Sequence, residues 1–290
     1  MPRARAEPAG QPVSEEVRAR FVEPGTLYVV ATPIGNLADV TFRALAVLGA
    51  VDRIAAEDTR RTRILLSRHG VSGRIIEPYH AHNEARVAPR LADRLHHGEA
   101  IALVTDAGTP GVSDPAYRLV RAALDAGAAV VAVPGPSAAL CALVASGLPT
   151  DRFLVQGFPP KKPGPRRRML AELADLPHTL VFFEAPSRLP GFLADMLQVL
   201  GDREIAVARE LTKRFEEIWR GPASGYLAAR PGRAVRGEVT VIVAGRGRKE
   251  SRAGQPGAGR PRPDSRAPAP EAPREHSRRE ARHSRHPRSG

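Results

Sequence analysis

The sequence predicts an α/β protein in two units: a mostly parallel βα sheet over residues 26–148 and a mixed α/β unit over 149–245. Three observations lead there. Short apolar runs alternate with amphipathic segments, which is the pattern of successive βα units. Runs such as Ala100-Ile-Ala-Leu-Val104 are apolar without alternation, as strands covered on both faces of a parallel sheet must be. Gly98, Gly127 and Gly147 each close an amphipathic segment, at the position where a helix end favours glycine.

The elements follow in order. Strands are expected at Leu27–Ala31, Arg53–Ala56, Ile75–Tyr79, Ala100–Thr105 and Ala129–Val133. Helices are expected between and after them at Thr41–Leu48, Thr59–His69, Glu84–His97, Pro115–Ala126 and Ser137–Ser146. The turn-rich stretch Gly147-Leu-Pro-Thr-Asp-Arg-Phe153 marks a junction between units. Beyond it come strands at Phe153–Phe158, Thr179–Glu184 and Ile205–Arg209, with helices at Arg166–Asp175 and Ser187–Leu200. Glu216–Trp219 and Val239–Val243 read as antiparallel strands spaced like a hairpin around a short helix near Pro222–Ala229.

Composition bounds the function. The 290 residues are 42% hydrophobic but only 4% aromatic, so the cores are built from Ala, Val, Leu and Ile. No apolar run reaches the roughly 18 residues of a membrane span. Met1 to Arg20 lacks the apolar centre of a secretory signal. One cysteine, Cys141, excludes an intramolecular disulfide, and its apolar neighbours suggest burial. These features point to a soluble, cytoplasmic protein. Residues 1–25 read as a flexible arm, and 246–290 as a disordered basic tail with too little apolar surface to offset its ordering entropy. That tail holds 13 Lys or Arg against 5 Asp or Glu, so it carries +8 of the net +13. The remainder is mildly basic, which permits an anionic partner such as nucleic acid.

Ligands of open α/β sheets bind beyond the carboxyl ends of the strands. Three segments end a strand and turn through Gly and Pro: Thr32-Pro-Ile-Gly-Asn36, Thr105–Pro115 and Pro134-Gly-Pro-Ser-Ala138. Three such loops on one edge suggest a shared site for a small cofactor, centred on Asp106-Ala-Gly-Thr-Pro-Gly111. None carries a dinucleotide or triphosphate fingerprint, so those ligands are disfavoured.

Six segments then carry a resemblance. They are Leu27–Asp39, Ala55-Ala-Glu-Asp-Thr-Arg60, His80-Ala-His-Asn-Glu84, Val104-Thr-Asp-Ala-Gly-Thr-Pro-Gly111, Pro134-Gly-Pro-Ser137 and Ala208-Arg-Glu-Leu-Thr-Lys213. In unbroken order over about residues 26–245, they resemble the ribosomal RNA small subunit methyltransferase I family of the tetrapyrrole methylase superfamily. The resemblance implies a two-domain tetrapyrrole methylase-like fold and S-adenosyl-L-methionine as cofactor. It implies 2′-O-methylation of a cytidine ribose in the decoding region of 16S rRNA, by a homodimer. The chain departs from the family at Ser187, where a His is common, and at Ala81, where an acidic residue is common.

By the same resemblance Ile34, Asp106, Gly108, Thr109, Pro110, Gly111, Val112, Ser137 and Ala138 would hold the cofactor from the first unit. Phe183, Glu184 and the Ala208–Glu210 segment would complete the pocket. A ribose hydroxyl is a very weak acid, so a general base is useful. The candidates are Glu57, Asp58, His82, Glu84 and Asp106, with Glu84 and Asp58 preferred, although Asp58 equally suits a helix N-cap. His80 and His82 point the same way from a strand end, but no third ligand accompanies them and no metal is expected. Contacts to 16S rRNA or the small ribosomal subunit are expected from Arg60, Arg61 and Arg63, from Lys161, Lys162, Arg166, Arg167 and Arg168, and from Lys213 and Arg214. Two competing functions remain at this point: methylation of a corrin or porphyrin precursor on the same fold, and RNA binding without catalysis.

Overall fold

The computed structural model describes residues 20–112, 116–230 and 236–247. Most of the arm expected over 1–25 and nearly all of the tail expected over 246–290 therefore lie outside the described residues. Two five-stranded sheets build the rest.

The first sheet comprises β1 (Thr26–Val30), β2 (Arg53–Ala56), β3 (Ile75–Pro78), β4 (Ile101–Val104) and β5 (Ala129–Val133), in the order β3-β2-β4-β1-β5. All its strand pairings are parallel. Its helices are α1 (Phe42–Ala50), α2 (Thr59–Arg68), α3 (Glu84–His96) and α4 (Tyr117–Asp125), followed by α5 (Ala138–Ser146) after β5. Alternate strand residues face opposite layers. Tyr28, Val30, Ala102 and Val104 pack with Val47 and Leu48 of α1 and Leu66 of α2. Leu27, Ile101 and Leu103 pack with Leu91 and Leu95 of α3 and Leu119 of α4. The chain thus leaves β1 towards β2 on one face and leaves β4 towards β5 on the other. β1 and β4 are neighbours, so their carboxyl ends form the switch point where such sheets bind ligands.

The second sheet comprises β6 (Phe153–Gly157), β7 (Thr179–Glu184), β8 (Glu204–Arg209), β9 (Glu217–Pro222) and β10 (Val239–Val243), ordered β6-β7-β10-β8-β9. β6 and β7 are parallel, and the other neighbours are antiparallel. The hairpin-like spacing expected between β9 and β10 is not a pairing: both strands flank β8, and β10 inserts between β7 and β8. Helices α6 (Pro163–Leu173), α7 (Leu189–Leu200) and α8 (Ala223–Ala229) cover one face, where Leu180, Phe182, Val207 and Val241 meet Leu170, Phe192 and Tyr226. α6 begins three residues before the expected Arg166 because Pro163 occupies its first position, where a missing N–H costs nothing.

The opposite face of that sheet receives α5. Ala139, Ala142 and Leu143 pack on Val181, Ala206, Ala208 and Ile242. α5 is capped by the Ser137 hydroxyl, which accepts from the Leu140 N–H at 3.4 Å, and ends at Gly147 in the left-handed region. Burying Leu143 alone contributes about 1.5–3 kcal/mol. Cys141 on this helix is half-buried rather than fully buried as its neighbours suggested. No helix among the described residues is long and apolar enough to cross a membrane.

Candidate active site

The loops after β1, β4 and β5 are stitched to one another. Thr32 N–H donates to the Gly108 carbonyl at 2.9 Å, and Gly108 N–H returns a bond to the Thr32 carbonyl at 3.0 Å. Gly108 sits at φ +85°, a conformation that side chains with a Cβ rarely adopt. The Thr32 hydroxyl donates to the Thr105 carbonyl at 3.0 Å, and the Thr109 hydroxyl to the Pro136 carbonyl at 3.4 Å. The three segments read from the sequence as one ligand edge therefore form a single hydrogen-bonded rim.

Above this rim lies a cavity of about 500 Å³ between the two sheets, within the ~300–1,000 Å³ of small-molecule sites. Of the residues assigned to the cofactor from the sequence, Ile34, Asp106, Gly108, Thr109, Val112, Ser137, Ala138, Phe183 and Ala208 line it. Pro110 and Gly111 do not. Phe183 packs its ring 5.5 Å from that of Phe158, which also lines the cavity. Phe158, Glu238 and Thr240 also line the cavity and were not among the residues expected to do so. Thr240 belongs to β10, whose place between β7 and β8 was not foreseen. Its polarity within Val239-Thr-Val-Ile-Val243 was the available signal, since it faces away from Val239 and Val241.

Three polar groups on the wall have no hydrogen-bond partner although buried: Thr105 Oγ1, Asp106 Oδ1 and Glu184 Oε2. Glu184, 3% exposed, uses its other oxygen to accept from the Ala185 N–H at 2.7 Å and to pair with Arg188 at 2.5 Å. Asp106 Oδ2 pairs with Arg61 at 3.4 Å. The Asp106 N–H donates to Glu57 Oε2 at 3.2 Å, so Glu57 fixes the backbone that carries Asp106. Burial, and next the Glu57 charge, push the Asp106 carboxyl above its ordinary range, against the pull of Arg61. A second cavity of about 280 Å³ adjoins the first and shares Ile34, Arg61, Thr105, Asp106, Ala107 and Glu238 with it.

The two preferred base candidates lie elsewhere. Asp58 caps α2, its Oδ1 accepting from the N–H groups of Arg60 at 2.7 Å and Arg61 at 3.4 Å. Those bonds, led by Arg60, hold its carboxyl below the usual range. Glu84 borders a separate groove between α3 and α4 and pairs with Arg118 at 3.4 Å. His80 and His82 stack edge to face, 5.9 Å apart, at the end of β3. Among the described residues no group of three or more His, Cys, Asp or Glu is arranged to hold a metal ion.

The basic residues divide. Arg60, Arg63, Lys161, Lys162, Arg168 and Arg214 are exposed. Arg166 is 5% exposed and bound to Asp195, so its expected RNA contact is corrected to a structural one, because the α6–α7 layer encloses it. Lys213 donates to Glu210 at 2.9 Å and Glu238 at 3.0 Å. Burial would lower its pKa, but these two carboxylates outweigh burial and raise it. Its stem lies where a Cβ on Gly35 would stand, 2.5 Å from Lys213 Cγ, so glycine there lets the β1 loop meet the segment that follows β8.

The family profile described as Tetrapyrrole (Corrin/Porphyrin) Methylases matches residues 26–225. This chain belongs to the tetrapyrrole methylase family. Among its relatives is the Ribosomal RNA small subunit methyltransferase I of Mesorhizobium japonicum, 50% identical over 83% of this chain and 81% of that protein. The protein of the same name from Escherichia coli O157:H7 is 48% identical over 78% and 80%. Solved tetrapyrrole methylases share the fold. A uroporphyrin-III C-methyl transferase from Thermus thermophilus, complexed with S-adenyl homocysteine, superposes with a TM-score of 0.53 at 20% identity, covering 76% of this chain and 97% of that one. A cobalt precorrin-4 methyltransferase does so at 0.54 and 17%, covering 76% and 95%.

Proposed function

We propose that this protein transfers a methyl group from S-adenosylmethionine to the 2′-hydroxyl of a cytidine ribose in the decoding region of 16S rRNA. It acts on the small ribosomal subunit, in the cytoplasm, as a homodimer. The observation that carries the reading is the larger cavity at the switch point. Its walls are largely apolar, yet the Thr105 hydroxyl and the Glu184 carboxylate on them each keep a buried oxygen without a partner. Such a lining suits a ligand with an apolar body, several hydrogen-bonding groups and positive charge, which is the chemistry of this cofactor.

The cofactor supplies an activated methyl on a good leaving group. The chain supplies alignment: Ile34, Gly108 and Thr109 on one side and Phe183, Glu184 and Ala208 on the other would fix the methyl's direction. Holding nucleophile and donor in line is worth about 7–11 kcal/mol of the barrier. Exposed Arg60, Lys161, Lys162 and Arg214 would meet phosphates, positioning the RNA without reading its sequence. The relatives' names favour ribosomal RNA over a corrin or porphyrin acceptor.

The test uses labelled S-adenosylmethionine and small subunits from cells lacking this protein. Label on a ribose oxygen of a cytidine in 16S rRNA is expected. Label on a base nitrogen, or none, would overturn the reading.

A further inference from the structure

The smaller cavity is not needed to explain cofactor binding. Beyond the wall it shares with the larger one, it is lined by Thr32, Pro33, Gly35 and Leu37 of the β1 loop, Thr62, Ile64 and Leu65 of α2, and Lys213. Ile64 is 62% exposed at its rim, an apolar group left facing solvent. Two cations, Arg61 and Lys213, stand beside that apolar surface. An apolar floor fits an unstacked nucleotide, with a base against Ile64 and Leu65 and phosphate oxygens towards Arg61, whose side chain is 60% exposed and holds Asp106 only at 3.4 Å. At about 280 Å³ it lies near the small end of ligand pockets.

Asp106 belongs to the partition between the cavities. Its Oδ1 is buried without a partner, while Oδ2 is held by Arg61. Thr105, 7% exposed, also lines both cavities and leaves its hydroxyl unpartnered. Competing carboxylates are excluded by position. Glu57 and Glu184 line only the larger cavity, and each has an oxygen committed to a backbone N–H. Glu238 lines both, but its side chain is 66% exposed and one oxygen accepts from Lys213. Asp58 and Glu84 line neither.

Resting on the methyltransferase reading above, we infer that the smaller cavity receives the acceptor nucleotide and that Asp106 accepts the proton of its ribose hydroxyl. The O–H bond breaks and its proton moves to Asp106 Oδ1. The oxygen's electron pair forms the new O–CH₃ bond. The C–S bond breaks, its electrons stay on sulfur, and S-adenosylhomocysteine leaves as a neutral thioether. Asp106 then passes the proton to water. The charged groups facing Asp106 are Glu57, Asp58 and Arg61 from the β2–α2 segment, with Lys213 and Glu238 across the smaller cavity. Burial first, then the charges of Glu57 and Asp58, raise its proton affinity, and Arg61 and the Asp58 N–H limit the rise.

The test pairs Asp106→Asn with Ile64→Glu in the full chain. Loss of a general base costs about 10²–10⁴-fold, so D106N is expected to slow single-turnover transfer to small subunits by that factor. Its calorimetric Kd for S-adenosylmethionine and its Kd for subunits should stay within about twofold of wild type. The wild-type rate should fall as pH drops through the raised Asp106 pKa, D106N should lose that dependence, and D106E should recover part of the rate. I64E should weaken subunit binding and raise KM while leaving cofactor affinity unchanged. If wild type labels no small-subunit RNA, the function itself is overturned and this assignment with it. If wild type labels it and D106N does so equally fast, or D106N loses cofactor affinity, only the role of Asp106 is overturned. If I64E binds subunits as wild type does, the acceptor cavity is overturned.

Discussion

Asp195 and Asp106 are both aspartates held by arginine, and their surroundings are opposite. Asp195 lies between α6 and α7, 4% exposed, with Arg166 on Oδ2 and Arg167 on Oδ1 at 2.7 Å each. Arg166 completes its own fork on the carbonyls of Gly191 and Lys161. Burial pushes the Asp195 carboxyl up, but the bonds from Arg167 and Arg166 outweigh it and hold the carboxyl below its ordinary range. Asp106 has one loose pair to Arg61 at 3.4 Å, a like charge beside it and an oxygen with no partner, and its pKa is raised. The first carboxylate is satisfied and serves the fold. The second is left short of partners on a cavity wall, where a proton from a ligand would complete it.

The largest effect should come from breaking the satisfied cluster. Asp195→Ala leaves Arg166 buried without its anion, and such losses cost about 3–5 kcal/mol. Denaturant unfolding should show it as a lower midpoint at unchanged slope. The pH dependence follows from the sign of the shift. Because the folded pKa of Asp195 lies below its unfolded value, its contribution is present above the unfolded value and lost as pH falls through the folded one. The acid limb of the wild-type stability curve should flatten in the variant.

Asp58→Ala removes the N-cap of α2 and should lower the unfolding midpoint by less than Asp195→Ala does, read from the same curves. Asp106→Asn should move stability in the other direction from Asp195→Ala. The raised folded pKa means that the Asp106 charge opposes folding near neutrality, so removing it should slightly raise the thermal midpoint. A lowered midpoint would place Asp106 among the structural carboxylates and erase the contrast. Smallest of all, Glu84→Gln should leave single-turnover transfer within about twofold, since it breaks only a partly exposed pair of roughly 0–1 kcal/mol remote from both cavities.

The contrast also explains what could be read beforehand. Apolar strand runs and the Gly-Pro loops are local features, so β2, β5, β7 and β10 fall at their expected residues and the three-loop rim is where the loops predicted it. The insertion of β10 between β7 and β8 is a long-range pairing with no local marker, and it hid Glu238 and Thr240 from the list of lining residues. Arg166 stood within a dense basic run, where charge alone suggested the surface. Its partner Asp195 lies on the next helix, and only packing brings the two together. Asp106 and Asp58 are equally acidic strand-end residues in sequence. A backbone cap for one and an orphaned oxygen for the other separate them, and both depend on the folded geometry.

The most direct measurement is a pH titration of the two carboxyl groups by carbon-13 NMR on selectively labelled aspartates, assigned with D106N and D195N. Asp106 is expected to titrate above the ordinary value of 3.8 and Asp195 below it. An Asp106 midpoint at or below that of Asp195 would contradict the distinction between a carboxylate kept for proton transfer and one kept for the fold.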